Sequence, residues 1–388
     1  MLWVLTILLG CLVAGAWVYC VLTVVAARLY RAVKPPPLTR AEPISILKPL
    51  HGLDEGLEEN LRSFFEQDYP AFELLFAARE ASDPALALVD RLRGDYPAVP
   101  VRTFVTGEPP DPNAKVWSLQ TMMREAAHDL LVMSDSDIRV TPGMLRVIAA
   151  EFQDGETAVA TCPYRAVAGP SLWSRLEAAG MNTEFWGGCL TARLVERGVR
   201  FAVGPTIAAR RKVIEDIGGW RSLGRYLAED FVLGQFAAAR GYKVILSSYV
   251  VEHRIGAQAM RPNFAHRLRW NRSSRRSRPA GYVGQLFTHP LPLAALLVAV
   301  QPHWWPVFAI TGLLRAAAAW EVSAGALQQP AGPGFAGLIP VQDFLSFAFW
   351  LAGFFGNTIV WRGRRYRLEA GGRFVLIGPA CGQVRNHG

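Results

Sequence analysis

The chain has long uncharged segments near its start and in its last third, and between them short apolar runs that alternate with amphipathic stretches. Residues 2–27 contain no charged side chain. A helix of that length, at ~1.5 Å per residue, crosses the ~30 Å hydrocarbon core of a bilayer. The segment lacks a basic start and is longer than a signal-peptide core, so we expect a transmembrane anchor over residues 1–28, with a cleaved signal peptide as the alternative. Basic residues stay in the cytoplasm, which places the chain after the anchor there; they are Arg28, Arg31, Lys34 and Arg40.

A second apolar region follows residue 279. Residues 279–314 and 344–361 carry no Asp, Glu, Lys or Arg, and the hydropathy predicts segments at about 284–300, 303–325 and 340–361. They form a predicted membrane region over residues 283–361, followed by a basic cytoplasmic tail, residues 362–388. A cytoplasmic tail requires an even number of crossings after residue 280. One segment is then re-entrant or interfacial, unless the tail breaks the charge rule.

The middle part, residues 40–255, has the pattern of a soluble α/β domain. Apolar runs of strand length alternate with helical patterns about ten residues long, which indicates a parallel sheet with helices on both faces. The strands are predicted at residues 44–50, 72–78, 99–105 and 130–133, and the helices at residues 57–67, 84–93 and 116–127. Such sheets bind ligands beyond the carboxyl ends of their strands, so the residues that follow each strand are the candidates for chemistry.

Composition narrows the class of protein. Of the 388 residues, 51% are hydrophobic and 19% charged, which excludes a disordered or collagen-like chain. The net charge of +9 favours anionic partners such as phosphorylated substrates, phospholipid head groups or nucleic acid. The five cysteines form no CxxC pair, so they indicate neither a zinc site nor a disulfide framework, and a reducing compartment is expected.

Two aspartates directly follow the last of these predicted strands. Asp135 and Asp137 are two residues apart, so on extended chain both carboxylates project to one side. Paired oxygen donors at a strand end suit Mg²⁺ or Mn²⁺ shared with a diphosphate. The alternative is that the aspartates only shape the turn before the next helix.

Glu229 and Asp230 begin a predicted helix beside a glycine-rich run, Gly218, Gly219 and Gly224. Acidic residues favour helix N-termini through the dipole alone. Next to backbone that approaches a ligand closely, however, a carboxylate could also remove a proton from an attacking hydroxyl.

A strongly basic stretch lies in residues 256–282, before the second apolar region. A membrane-surface helix would place most of its arginines at anionic head groups. A nucleic-acid arm fits poorly, because the stretch leads straight into a membrane segment. Within it, Arg269 could neutralise a phosphate with Trp270 beside it. Lys115, in the loop after the third strand, could be surface or a second cation of the site.

Together these motifs resemble the glycosyltransferases of families 2 and 21, most closely the ceramide glucosyltransferases and the related bacterial hopanoid-pathway enzymes. The likeness runs from about residue 45 to residue 372. It is carried by SILKPLHG from Ser45, DYP from Asp68, DPA from Asp83, NAK from Asn113, DSDIRV from Asp135, AED from Ala228, the Arg269-Trp270 pair and WRGRRYRL from Trp361.

The resemblance implies a fold and a set of site residues. The expected fold is GT-A, a Rossmann-like nucleotide-diphospho-sugar transferase domain, held by N-terminal and C-terminal transmembrane helices. The implied roles are Glu80 near a uracil, Asp135 at the ribose and diphosphate, Asp137 at the metal, Asp230 as base, Lys115 and Arg269 as helpers at the diphosphate, and His266 and Trp270 in the (Q/R)xxRW element. His266 stands in the leading position of that element, and Phe185 stands where the animal enzymes have a histidine.

The implied function is an inverting transfer of a hexose from a UDP-sugar to a hydroxyl of a membrane lipid, with Mn²⁺ or Mg²⁺. Ceramide, a hopanoid or another lipid is the implied acceptor. The predicted location is the inner membrane of a bacterium, as a multi-pass protein with a cytoplasmic catalytic domain and no nucleic-acid partner. The alternatives are a processive polysaccharide synthase and a non-catalytic membrane protein that binds acidic lipids.

Overall fold

The computed structural model describes residues 2–329, 332 and 334–379. Of the predicted tail at residues 362–388, the part after residue 379, with Cys381, lies outside the described residues. The chain begins with one long helix, α1 (Leu2–Arg31), which covers the predicted anchor. An α/β domain follows it.

The strands of this domain occur where the sequence predicts the first four. In chain order they are β1 (Ile44–Pro49), β2 (Phe72–Ala78), β3 (Val101–Val105), β4 (Leu130–Ser134), β5 (Ile138–Arg139), β6 (Thr157–Thr161), β7 (Tyr164–Val167), β8 (Thr206–Arg210), β9 (Lys243–Leu246) and β10 (Val251–Arg254). In the part of the chain that the structure describes, β3-β2-β1-β4-β8-β6-β9 form a seven-stranded sheet and β5-β10-β7 a smaller one.

The large sheet departs from the predicted all-parallel arrangement at one strand. The neighbours among β1 to β4 are parallel, but β8 is antiparallel to both β4 and β6. The chain between β6 and β8 returns at the carboxyl end of β4, where the Asp135 N–H donates to the Pro205 carbonyl at 2.9 Å, so β8 must run in the opposite direction.

The helices of the domain follow the predicted pattern, and three of them have side-chain N-caps, Asp83, Asn113 and Ser171. They are α2 (Leu57–Phe65), α3 (Pro84–Asp95), α4 (Ala114–Glu125), α5 (Met144–Phe152), α6 (Leu172–Gly180), α7 (Trp186–Val195), α8 (Arg211–Asp216) and α9 (Glu229–Ala239). Asp83 caps α3 by accepting from the Ala85 N–H. Asn113 caps α4 by accepting from the N–H groups of Lys115 and Val116, which satisfies donors that a helix start leaves without partners.

Strands β1, β2, β4 and β6 are buried along almost their whole length. Strands covered on both faces consist of continuous apolar runs rather than alternating ones. This is the reason that the sequence pattern predicts β1, β2 and β4.

The C-terminal third is mainly helical. It contains α10 (Met260–Ser277), α11 (Pro279–Gly284), α12 (Pro290–Val300), α13 (Trp305–Trp320) and α14 (Phe335–Gly353). Within the described residues, α1, the segment Pro302–Ala326 and α14 are long and apolar enough to span a membrane. The helices over Pro279–Thr288 and Pro290–Val300 meet at 65°, the geometry of a broken span or a re-entrant loop.

The third predicted apolar segment, residues 340–361, is wrong at its carboxyl end. Helix α14 ends at Gly353, and the chain continues as an antiparallel sheet of β11 (Thr358–Trp361), β12 (Arg364–Leu368) and β13 (Phe374–Pro379). Hydropathy does not separate an apolar strand from a helix end. The two-residue alternation of a strand does separate them, and it is visible here: Ile359 is buried and Val360 is exposed.

The arginines of α10 differ from the prediction that most lie at head groups. Arg272, Arg275 and Arg276 donate hydrogen bonds to the chain that ends α14. The acceptors are the carbonyls of Phe354, Phe355, Gly356 and Thr358 and the side-chain oxygen of Asn357. All of these acceptors follow Gly353, the last residue of α14. These arginines therefore fix the connection between α14 and the strand that comes after it.

A buried ion pair joins the apolar helices to the α/β domain. Arg315 of α13 donates to Asp343 of α14 at 2.8 Å and to the Thr183 hydroxyl at 3.0 Å. Thr183 lies in the π-helical turn between α6 and α7. Because a buried charge is costly without its partner, this contact holds three elements in one arrangement.

A glycine pair tests how closely α9 packs. A Cβ at Gly234 of α9 would overlap the backbone of Phe201 and Ala202, whereas one at Gly94 of α3 meets nothing within 4 Å. We expect Gly234→Ala to destabilise the protein by ~1–3 kcal/mol through overpacking. Gly94→Ala should stabilise it by ~0.5–1 kcal/mol, because glycine is unfavourable in a helix. Thermal unfolding in detergent measures both, and shifts of the same sign would contradict this packing.

Candidate functional site

A cavity of about 1030 Å³ lies at the edge of the large sheet where β1 and β4 end. Asp135, Asp137 and Asp230 all line it. The structure therefore brings together three aspartates that are separated by up to a quarter of the chain. Trp270 of α10 and Ser346 of α14 also line it.

The loop after β4 holds Asp135 and Asp137 by its backbone and by one imidazole. The Arg254 N–H donates to the Asp137 carbonyl at 2.8 Å. The Oδ2 of Asp137 lies 3.0 Å from Nε2 of His253, and its Oδ1 is buried with no hydrogen-bond partner among the described residues. Burial alone would raise the pKa of Asp137, but the adjacent His253 holds it below its usual range.

A buried lysine lies beneath the same loop. Lys48 of β1 is fully buried, with Nζ 2.8 Å from the Asp135 carbonyl that accepts its hydrogen bond and 3.5 Å from the centre of the Phe64 ring. Burial lowers the pKa of Lys48 to about 7, against the attraction of Asp135 and Asp137. A single lysine does not by itself indicate a site. Lys48 lies in the SILKPLHG motif, however, so the resemblance covers this position.

Lys115 neutralises the centre of the site. Its Nζ lies 2.7 Å from Oδ1 of Asp135 and 3.1 Å from Oε1 of Glu229. Glu229 also accepts from the Asn113 amide at 3.0 Å. Burial opposes the charge of Lys115, but Asp135, Glu229 and Asp230 together raise its pKa. Lys115 is therefore a cation of the site rather than a surface residue, and Glu229 is its anchor.

Asp230 begins α9 beside Lys115 and Glu229. A Cβ at Gly204 would lie 2.7 Å from its Oδ2, so only glycine leaves room there. Burial, reinforced by the charge of Glu229, raises the pKa of Asp230 to about 7, whereas Lys115 acts to lower it. A carboxylate with a pKa near neutrality is suited to accept a proton in the reaction.

Helix α10 brings the predicted basic and aromatic residues to the cavity wall. His266, Arg269 and Trp270 all line it. Nδ1 of His266 lies 2.7 Å from Oε1 of the buried Glu177, and the Trp270 ring lies 5.6 Å from that of Phe185. Burial, together with the nearby Arg362, lowers the pKa of Arg269 to about 10.

Glu80 is the one predicted site residue that the structure does not bring to the cavity. Its side chain is exposed, whereas its neighbour Arg79 lines the cavity. Asp54 and Arg362 also line it and were not singled out as site residues. Arg362 belongs to the WRGRRYRL motif, and Arg79 adjoins the expected acidic position at Glu80. Both arginines thus lie in or next to a segment that carries the resemblance.

The available oxygen donors fit a divalent cation that is bound partly by the protein and partly by the substrate. Asp135 and Asp137 offer hard carboxylate oxygens at one edge of the cavity, and Oδ1 of Asp137 lacks a partner among the described residues. Residues 2–329, 332 and 334–379 contain no group of three or more His, Cys, Asp or Glu that could hold a metal by itself. Mg²⁺ commonly takes one or two carboxylates and completes its shell with water and phosphate oxygens.

Known structures share this fold. A mannosyltransferase from Pyrobaculum calidifontis, solved in complex with GDP-Man and Mn²⁺, aligns with a TM-score of 0.53 at 19% identity, over 91% of this chain and 98% of that one. The likeness shows a common architecture and confirms the predicted GT-A domain with its additional apolar helices.

Sequence comparisons identify the family. Ceramide glucosyltransferase 1 of Caenorhabditis elegans is 29% identical over 231 residues, 57% of this chain and 47% of the relative. Ceramide glucosyltransferase 3 of the same organism is 30% identical over 215 residues, 53% and 45% respectively. This chain thus spans about half the length of these relatives. The model of glycosyl transferase family 21 matches residues 6–374, nearly the whole chain. The protein is therefore a member of glycosyl transferase family 21.

Proposed function

We propose that this protein transfers a hexose from a UDP-sugar to a hydroxyl of a membrane lipid, with inversion at the anomeric carbon. The activity is like that of its ceramide glucosyltransferase relatives. The proposed location is a bacterial inner membrane, with the GT-A domain in the cytoplasm. Arg28 and Arg31, in the last turn of α1, support that orientation.

The observation that carries the proposal is the continuity of one cavity. The carboxylates of Asp135 and Asp230 line it, and so do Tyr19 of α1 and Phe349 of α14, two helices long and apolar enough to span a membrane. A long-chain alcohol held among apolar helices could thus present its hydroxyl to the carboxylates without leaving the bilayer. A soluble acceptor would need no such connection.

The charge distribution supports a diphosphate at the sheet end. Lys115, Arg269 and Arg79 line the same part of the molecule as the Asp135 to Asp137 loop. A divalent cation bound by Asp135 and Asp137 would supply positive charge to the diphosphate as it leaves. Cationic side chains placed there stabilise the same charge without reorganisation.

The proposed reaction is a single in-line displacement. The lipid oxygen forms a bond to the anomeric carbon while the bond from that carbon to the diphosphate oxygen breaks. The hydroxyl proton passes to the carboxylate of Asp230, and the electron pair of the broken bond leaves with UDP. The transition state has oxocarbenium character.

Acceptor identity is tested with purified protein in lipid vesicles. Mass spectrometry follows conversion of an added ceramide, hopanoid or polyprenol by UDP-hexoses in the presence of Mn²⁺. Conversion of one lipid supports the proposal and names the acceptor. Release of UDP only by slow hydrolysis with every lipid, or formation of a polymer, would contradict it.

The role of Asp230 predicts a specific loss. Asp230→Asn should reduce transfer by ~10²–10⁴-fold, the usual contribution of a general base. UDP should still bind with Mn²⁺, because Asp135 and Asp137 are unchanged. Removal of a disfavoured buried charge should also leave the melting temperature at pH 8 unchanged or higher. Asp90→Asn, which alters an exposed carboxylate of α3, is the control, and retained turnover in Asp230→Asn would refute the assignment.

The raised pKa of Asp230 predicts a pH profile. The base must be deprotonated, and its pKa is about 7, so kcat/KM should fall about tenfold per pH unit below pH 7 and level off above it. In Lys115→Met the midpoint should move to higher pH, because Lys115 lowers the pKa of Asp230. Initial rates between pH 5 and 9, normalised for each variant, measure the shift. A midpoint that does not move would contradict this coupling.

The cation site predicts a second, distinct loss. Asp137→Ala should weaken Mn²⁺-dependent UDP binding, because the oxygen that lacks a partner is removed. Isothermal titration of UDP with and without Mn²⁺ measures it. Affinity in the absence of metal should change little, and an unchanged metal effect would exclude Asp137 from the cation site.

A further inference from the structure

The turn between β11 and β12 has an unusual backbone for its sequence. Arg362 has φ 47° and the next residue, Gly363, has φ 72°. Two successive residues with positive φ form the tight hairpin turn that Asn-Gly favours, because asparagine and glycine tolerate this region. Arginine rarely adopts it. A strained non-glycine residue at the tip of a hairpin suggests that its side chain is needed there.

The hairpin is held in place by its own small core and by the segment of chain that precedes Asp230, residues 225–227. Tyr366 and Phe374 are buried in that core, and Leu227 packs against it. The Leu227 N–H donates to the Gly372 carbonyl at 3.3 Å, and the Phe374 N–H donates to the Arg225 carbonyl at 3.0 Å. The position of the turn at the cavity edge is therefore built into the fold.

Arg362 faces the cavity without a protein anion bonded to it. It lines the cavity together with Asp54, Arg79, Arg269 and Asp135. Within residues 2–329, 332 and 334–379, neither Arg362 nor Arg269 makes a side-chain hydrogen bond or ion pair. By contrast, Arg364 on the same hairpin is bonded to Glu108 at 3.0 Å.

These two guanidinium groups are close enough that Arg362 lowers the pKa of Arg269. The carboxylates of Asp135, Asp54 and Glu229 offset part of the repulsion at Arg362, and an anion bound between the two guanidinium groups would offset more of it. Guanidinium groups bind phosphate oxygens in a bidentate way that a lysine cannot reproduce.

We propose that Arg362 binds the diphosphate of the nucleotide donor, opposite Arg269, and that the β11–β13 sheet is a wall of the donor site. The ligand class is a nucleoside diphosphate, and this inference rests on the proposed UDP-sugar donor. Arg362 is then a binding residue supplied by chain that follows the apolar helices, rather than by the α/β domain.

The variant Arg362→Asn separates this role from a structural one. It creates the Asn-Gly turn that such a hairpin prefers, so the melting temperature of the full chain in detergent should be unchanged or higher. The dissociation constant for UDP should nevertheless rise by ~10–100-fold, the effect of losing hydrogen bonds to a charged group. Uridine affinity, which involves no phosphate, should change by less than about twofold.

Two further variants complete the experiment. Arg367→Asn removes an exposed arginine of β12 and should leave UDP affinity unchanged. Arg362→Lys keeps the charge without the bidentate geometry and should give an intermediate affinity. If Arg362→Asn lowers the melting temperature, the UDP affinity of Arg362→Lys decides whether Arg362 binds the diphosphate.

The outcomes distinguish the two proposals. If the unaltered protein binds UDP and Arg362→Asn binds it equally well, the role of Arg362 is overturned and the donor stands. The role is also overturned if Arg362→Asn weakens uridine binding as much as UDP binding. If the unaltered protein does not bind UDP, the proposed donor fails and the inference fails with it.

Discussion

The site depends on the neutralisation of four carboxylates that meet in one cavity. Asp135, Asp137, Glu229 and Asp230 would repel one another there, since like charges in partly buried surroundings disfavour ionisation. Lys115 contacts two of them directly, and His253 and Lys48 oppose the charge of the Asp135 to Asp137 loop. The balance is incomplete at Asp230, whose pKa of about 7 leaves it able to exchange a proton.

Much of the α/β domain and of its site could be predicted from the sequence. Buried strands appear as continuous apolar runs, and the chemistry of such sheets lies after their strand ends, which located Asp135 and Asp137. His253 and Glu177 could not be found in this way, because a buried histidine or carboxylate has no local pattern and its partner is distant in sequence. Position relative to a strand was likewise insufficient at Glu80, which faces solvent.

The C-terminal third was harder to predict, because hydropathy records composition and not conformation. It located α13 and most of α14 but merged β11 with the preceding helix. Hydropathy also could not assign partners to the arginines of α10, because their sequence is the same whether they contact head groups or backbone carbonyls. Only the fold shows that Arg275 donates to carbonyls beyond α14.

Those hydrogen bonds have a mechanical consequence. Arg272 and Arg275 join α10 both to the chain directly after α14 and to the strand that begins the β11–β13 sheet. A tilt of α14, such as a membrane-spanning helix makes when bilayer thickness does not match its apolar length, would therefore be transmitted to the hairpin that carries Arg362. Through this linkage the thickness of a surrounding bilayer would alter the shape of the cavity.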